Sequence, residues 1–243
     1  MPDDLYGPLE KHSLWYKYKT KVWGEDSPQS AVVHNAMRIL RSIQNIGDIA
    51  YASAPVTTGK KYYEKLFSHK MLKSEALEKA IEENYMDGYL FVRNLIERLD
   101  IPVINPGDLA PTRQEWEQDH FMALWLSIIA EKCTEHHMSD EWEYSIGCAQ
   151  EFVHTYQLRL GMPRHKHIPF WNTKEHKESE KERMRNIQVY DAQGNPISLK
   201  DGYEAIKEAL GYIHEHDYHA PTLVRCLELL DWTGDMIEKG FYQ

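Results

Sequence analysis

The sequence predicts an α/β domain, a Rossmann-like parallel sheet of about four to five strands with helices on both faces, plus a C-terminal hairpin and helical extension. Three observations predict it. Short apolar runs at Ile49–Ala52 and Pro102–Asn105 alternate with long stretches of helical period, the pattern of βαβ units. Each run ends in a proline loop, Ser53-Ala54-Pro55 in the first case and Asn105-Pro106 in the second. A third candidate strand runs through a short acidic loop into a helix that opens at Ser145, at the carboxyl ends of the strands, where open α/β sheets bind ligands.

In chain order, residues 1–47 read as an N-terminal arm and a helix. The arm (1–26) is aromatic and charged without period. Ser27-Pro28 supplies a cap and a proline at the first helical position. Val33, Met37, Leu40 and Gln44 then recur at helical spacing toward Gly47. Residues 48–170 form the α/β core. After the first strand, residues 56–75 carry Lys60, Lys61, Lys65, Lys70 and Lys73 among Tyr62, Tyr63 and Phe67. They read either as a solvated helix or as an insertion that covers a substrate. A long helix follows from Ser74, with Tyr89, Val92, Ile96 and Leu99 on one face, broken at Asp100-Ile101-Pro102. Val103-Ile104 is the second strand.

The helix expected over 113–132 is apolar on more than one face: Phe121, Leu124, Trp125, Leu126, Ile128 and Ile129. Its second face needs cover from the C-terminal helices or from a copy of the chain, and a two-fold dimer is expected. Thr134–Ser139 is the third strand, polar for a buried parallel one. His136 and His137 would point to opposite faces and read as structural. The helix carrying Glu151 runs through Phe152, Tyr156 and Leu160 to a stop at Gly161. Met162–Phe170 is the candidate fourth strand.

Residues 171–243 read as a charged linker, a hairpin and a helical extension. The linker spaces Glu178–Lys181, Glu180–Arg183 and Glu182–Arg185 as helical pairs. Val189-Tyr190 and Ile197–Leu199 flank turn chemistry at Asp191–Pro196. Asp201, with Glu204, is expected to cap a helix striped by Tyr203, Ile206, Leu210 and Ile213. A last helix carries Leu223, Leu227 and Leu230.

Composition narrows the function. The 243 residues include 28 Lys and Arg against 38 Asp and Glu, a formal charge of −10. A surplus of acid argues against a nucleic-acid backbone as main partner. No apolar run approaches a membrane span, and the N-terminus lacks the apolar core of a signal peptide, so a cytoplasmic protein with no membrane partner is expected. Three cysteines, Cys133, Cys148 and Cys226, lack short spacing, which suggests a reducing compartment and no metal framework. In His214-Glu-His-Asp-Tyr-His219 the first two histidines do not share a helical face, and no metal is expected there. Cys148 sits in the first turn of a helix but lacks an identifiable His or Asn partner, and reads as a small buried apolar group.

The stretch Met138–Glu151 carries the chemistry, as the pattern Ser145-x-Gly147-x-x-x-Glu151. Ser145 can cap the helix. Gly147 lets a ligand approach the backbone. The helix N-terminus favours an anion, and Glu151, one to two turns on, can project into the same cavity. With Trp142 and Glu143 upstream, the stretch resembles the nucleoside 2-deoxyribosyltransferase superfamily, including its nucleoside 5′-monophosphate N-glycosidase branch. Two further features fall in the right order: Tyr51, Ser53, Ala54 and Pro55 after the first strand, and Asn105-Pro106 after the second. Ala54 departs from the family's usual glycine. The resemblance covers roughly residues 48–168.

The resemblance implies cleavage or transfer at the N-glycosidic bond of a nucleoside 5′-monophosphate or nucleoside, with no cofactor. Glu151 would be the nucleophile. Ser145, Gly147 and Ser53 would hold phosphate or sugar hydroxyls, and Tyr51 and Trp142 would pack on sugar or base. The family also places an acid on the preceding helix to orient the nucleophile. Here that position falls near Leu126 or Ser127, neither an acid; Asp119 and Glu131 are the alternatives. Asp119 reads equally as a first-turn acid favoured by the helix dipole. The departure leaves open a second reading, a non-catalytic nucleotide-binding or protein-interaction module on the same fold. A homo-oligomer is expected under either.

Overall fold

Four short strands pair in parallel, in the order β2-β1-β3-β4. They are β1 (Ala50–Ser53), β2 (Val103–Ile104), β3 (Glu135–Met138) and β4 (Gln188–Tyr190). Tyr51 lies beside Ile104 on one side and His136 on the other, and His136 lies beside Val189. The computed structural model describes residues 13, 14, 17, 18, 22, 28–42, 48–109, 116–161 and 182–239. The chain steps outward from β1 to β2 and then crosses back to β3, so the crevice between β1 and β3 is the switch point of the sheet.

Helices cover both faces. They are α1 (Pro28–Ser42), α2 (Lys60–Phe67), α3 (Lys73–Arg98), α4 (Gln118–Lys132), α5 (Ile146–Arg159), α6 (Leu199–Glu215) and α7 (Pro221–Glu238). On one face Val92 and Leu95 of α3 pack on Ala52, and α2 packs against α3. On the other lie α4 and α5, backed by α1, α6 and α7. No described helix is long and apolar enough to cross a membrane.

Several elements differ from expectation for identifiable reasons. Helix α3 buries Ala76, Ala80, Asn84, Val92 and Leu95, while Tyr89 and Ile96 face outward. Small side chains in its first half let this helix lie close to α2, and Val92 and Leu95 make the contact with the sheet, where Gly88 is set against the Ala54 methyl. Helix α4 lies between α1 and α5, so its second apolar face is covered by α1 of the same chain. That removes the ground for placing a dimer on α4, while the C-terminal helices pack chiefly on α5.

Strand β3 tolerates its polarity because each histidine is partnered: His136 Nδ1 meets Thr155 Oγ1 at 2.8 Å, and His137 Nε2 meets Glu135 at 2.8 Å and stacks on Tyr190. The fourth strand comes from 188–190, beyond the expected core boundary at 170; the candidate over Met162–Phe170 lies outside the described residues, as do the arm positions 1–12 and the helix end at Gly47. The turn after β4 is tied by Asp191 Oδ1, which accepts from the Gln193 and Asn195 amides, and closes one antiparallel bridge between Tyr190 and Pro196. Ser198, not Asp201, caps α6. Its hydroxyl accepts from the Asp201 amide, and the Asp201 carboxylate accepts from the Ser198 amide. Arg183, expected in a solvated linker, donates to the carbonyls of Cys133 and Ala130 and so satisfies the C-terminal end of α4.

Candidate functional site

Glu151 occupies the second turn of α5 and points at the sheet. Tyr51 and Ser53, two residues apart on β1, face the same side. The Tyr51 hydroxyl donates to Glu151 Oε1 at 2.6 Å, and the Ser53 hydroxyl donates to Oε2. All three are buried. Burial raises the Glu151 carboxyl from 4.5 to about 7, while the bonds from Ser53 and Tyr51 pull it down. Near neutral pH the group is therefore poised between acid and carboxylate. The Tyr51 phenol is held neutral, its pKa pushed well above the ordinary value by burial and then by the Glu151 charge.

A second layer fixes this turn of α5. Thr155 Oγ1 donates to the Glu151 carbonyl at 3.0 Å and meets His136 Nδ1. The His136 ring packs edge-on against Tyr51, with centroids 5.4 Å apart. Burial, with His137 and His154 nearby, lowers His136 to about 3, so it stays neutral. Its Nε2 makes no hydrogen bond among the described residues.

The start of α5 is occupied by the protein's own groups. The Ile146 amide donates to Thr58 Oγ1 at 3.1 Å, and the Cys148 amide to Ser145 Oγ at 3.4 Å. Gly147 is half-buried, and a methyl added there would approach only Ser145 Oγ, at 3.9 Å, so the backbone is open on that side. The Cys148 thiol is buried and pushed up to about 12, as a packing group would be.

The other expected residues are dispersed. Trp142 is buried and stacks on Phe152 at 4.7 Å, which places it under the loop rather than toward solvent. Asn105 uses Oδ1 to accept from the Gly107 amide at 3.1 Å and shapes the β2 loop. Asp119 lies in the first turn of α4, where its charge acts on the Tyr18 phenol, while the side chains that shift Glu151 are Ser53 and Tyr51. At the position where an orienting acid was sought, Ser127 bonds back to the Ala123 carbonyl and the Leu126 carbonyl meets His154 Nε2 at 3.1 Å. Glu131 is buried on the same helix.

A cleft of about 360 Å³ opens over the carboxyl ends of β1 and β3 on the α3 side. Ala54 and Pro55 line it together with Ser139, Asp140 and Glu141, so Ser53 and Ala54, adjacent in sequence, reach Glu151 and the cleft respectively. Two ion pairs bracket it, Lys60–Glu141 at 2.9 Å and Lys61–Asp87. Glu141 holds a left-handed backbone, φ 62°, an unusual geometry for a residue with a side chain and one that clusters at functional loops. Comparison of the chain with protein-family models, curated proteins and solved structures gives no match. Asn84 and the Asp140-Glu141 pair were not singled out in the sequence, and the lysines at 60 and 61 entered only as part of a stretch that could cover a substrate. Their signal is topological, since they converge only once α3 is docked on the sheet.

Proposed function

We propose that the protein cleaves or transfers at the N-glycosidic bond of a nucleoside 5′-monophosphate or nucleoside, with Glu151 as nucleophile. One observation supports this above the rest: a buried carboxylate gripped by Tyr51 and Ser53 at the switch point of a parallel sheet. A Glu151 oxygen would bond to the anomeric carbon as the carbon–nitrogen bond breaks, and the base would leave with the electron pair and take a proton. Water, or a second base, would then release the sugar and return the carboxylate. Tyr51 and Ser53 would orient the attacking carboxylate and keep part of the population ionised near neutrality. Reaction in a closed site would exclude water until the base has left.

The test is incubation with a panel of deoxynucleosides and their 5′-monophosphates, followed by chromatography of the free base. Release by the wild-type protein and its loss in Glu151→Gln, with ligand binding retained, is the expected result. Unchanged release in the variant would remove Glu151 from the reaction.

A second reading, a nucleotide-binding module without catalysis, is favoured by one feature. The first turn of α5 is already capped by Thr58 and Ser145, and among the described residues hydroxyls alone bond to the Glu151 carboxyl. Binding without base release across the panel would select it.

A further inference from the structure

Helix α3 turns large apolar side chains to solvent. Tyr85, Met86, Tyr89 and Leu90 are 59%, 54%, 53% and 51% exposed, and Ile81 and Ile96 continue the stripe toward either end. The helix does not need them for its own packing, since its opposite face is buried through Ala76, Ala80, Asn84, Val92 and Leu95. With half of each ring or chain wet, the stripe amounts to roughly 500–700 Å² of apolar surface, more than a monomer usually leaves contiguous. A standard interface takes ~800 Å² from each partner, which this stripe and its polar rim can supply.

Charge marks what fits it. Glu82 and Arg93 flank the stripe three helical turns apart and point the same way. Glu82 has no ion pair among the described residues, and Arg93 is held only by an exposed bond to Glu97. An antiparallel copy of the same helix, related by a two-fold axis between Asp87 and Gly88, sets Tyr85 against Leu90, Met86 against Tyr89, and Glu82 against Arg93, each pair twice; Glu78 and Glu97 also come opposite, but farther from the axis, where Arg93 of the same helix already bonds Glu97. A parallel copy would set like charges together.

We propose that this face binds a second copy of the chain, α3 against antiparallel α3. The interface is isologous, so it closes at two copies. Leu90 also lines the cleft, so the second copy lies along the cleft's rim.

Light scattering and sedimentation velocity of the whole chain test this. The wild type should show twice the 28.6 kDa chain mass at micromolar concentration. Glu82→Arg and Arg93→Glu should each weaken association at least about ten-fold, because each places like charges across the axis. An equimolar mixture of the two variants should regain the dimer, because only the mixed pair restores opposite charges at both contacts. Tyr89→Asp should give a monomer with unchanged circular dichroism. A monomeric wild type, charge variants as dimeric as the wild type, or a mixture that stays monomeric would each overturn the proposal.

Discussion

Glu151 is a carboxyl kept from water by its surroundings and kept ionisable by two hydroxyls. The balance has measurable consequences. Tyr51→Phe removes a donor that favours the charged form, so the Glu151 pKa should rise further above about 7. If the carboxylate attacks, activity of the wild type rises with pH through about 7, and the Tyr51→Phe profile moves to higher pH. A profile that does not move would separate Tyr51 from the ionisation of Glu151. Stability changes in the opposite sense. A carboxyl whose pKa is higher in the folded chain than its ordinary 4.5 leaves stability intact below that value and removes it as pH rises through about 7. Glu151→Gln lacks this loss, so its stability relative to wild type should improve between pH 5 and 8, by up to ~3 kcal/mol. Denaturant titrations at the two pH values read it, and a constant difference would contradict the raised pKa. Ser145→Ala should cost about 1 kcal/mol of stability through loss of the cap on Cys148. At this scale the sequence was informative about what lies near what. The cap at Ser145 follows from spacing. The partner of the Tyr51 and Ser53 hydroxyls does not, because a hydrogen bond between residues about a hundred apart leaves no local pattern.

Among the elements, α5 is the one that others are built around. Its Phe152 ring is boxed between Trp142, Tyr156 and α6, and α6 comes so close that a methyl on Gly202 would lie 2.0 Å from the ring. Gly202→Ala should destabilise the protein by roughly 1–3 kcal/mol or more, since the ring has no free space to enter. Thermal unfolding measures it, and a neutral substitution would mean that α6 can shift away from α5. The same closeness shows why periodicity succeeded for α6 and only in part for α3, where Val92 and Leu99 of the expected stripe pack inward and Tyr89 and Ile96 do not. On α6, Ile206, Leu210 and Ile213 are both apolar and buried, so the stripe is the contact. On α3 the buried face mixes alanines and an asparagine with Val92 and Leu95, while Tyr85, Met86, Tyr89, Leu90 and Ile96 lie outside. Strand β3 was found by order rather than composition, because His136 is satisfied by Thr155 on another element.

At the scale of the whole molecule, the parallel sheet places the ends of β1 and β3 beside the start of α5, and this convergence makes the candidate site. The fold class was legible because strand-like runs and helical stretches alternate. The source of β4 was not. A three-residue strand of which only Val189 is fully buried carries too little pattern to be told from one arm of a hairpin. The cleft was not legible either, since its lining comes from one face of α3, the start of α2, the loops after β1 and β3 and the turn after β4.

The central claim is that Glu151 attacks the anomeric carbon. Its most direct test is to mix the protein with a deoxynucleoside 5′-monophosphate that it cleaves, quench in acid within the first turnover, and map the peptides by mass spectrometry. A deoxyribosyl phosphate adduct on the peptide that contains Glu151, absent from Glu151→Gln, is the expected result. Base release without an adduct on that peptide, or an adduct on another residue, would contradict it.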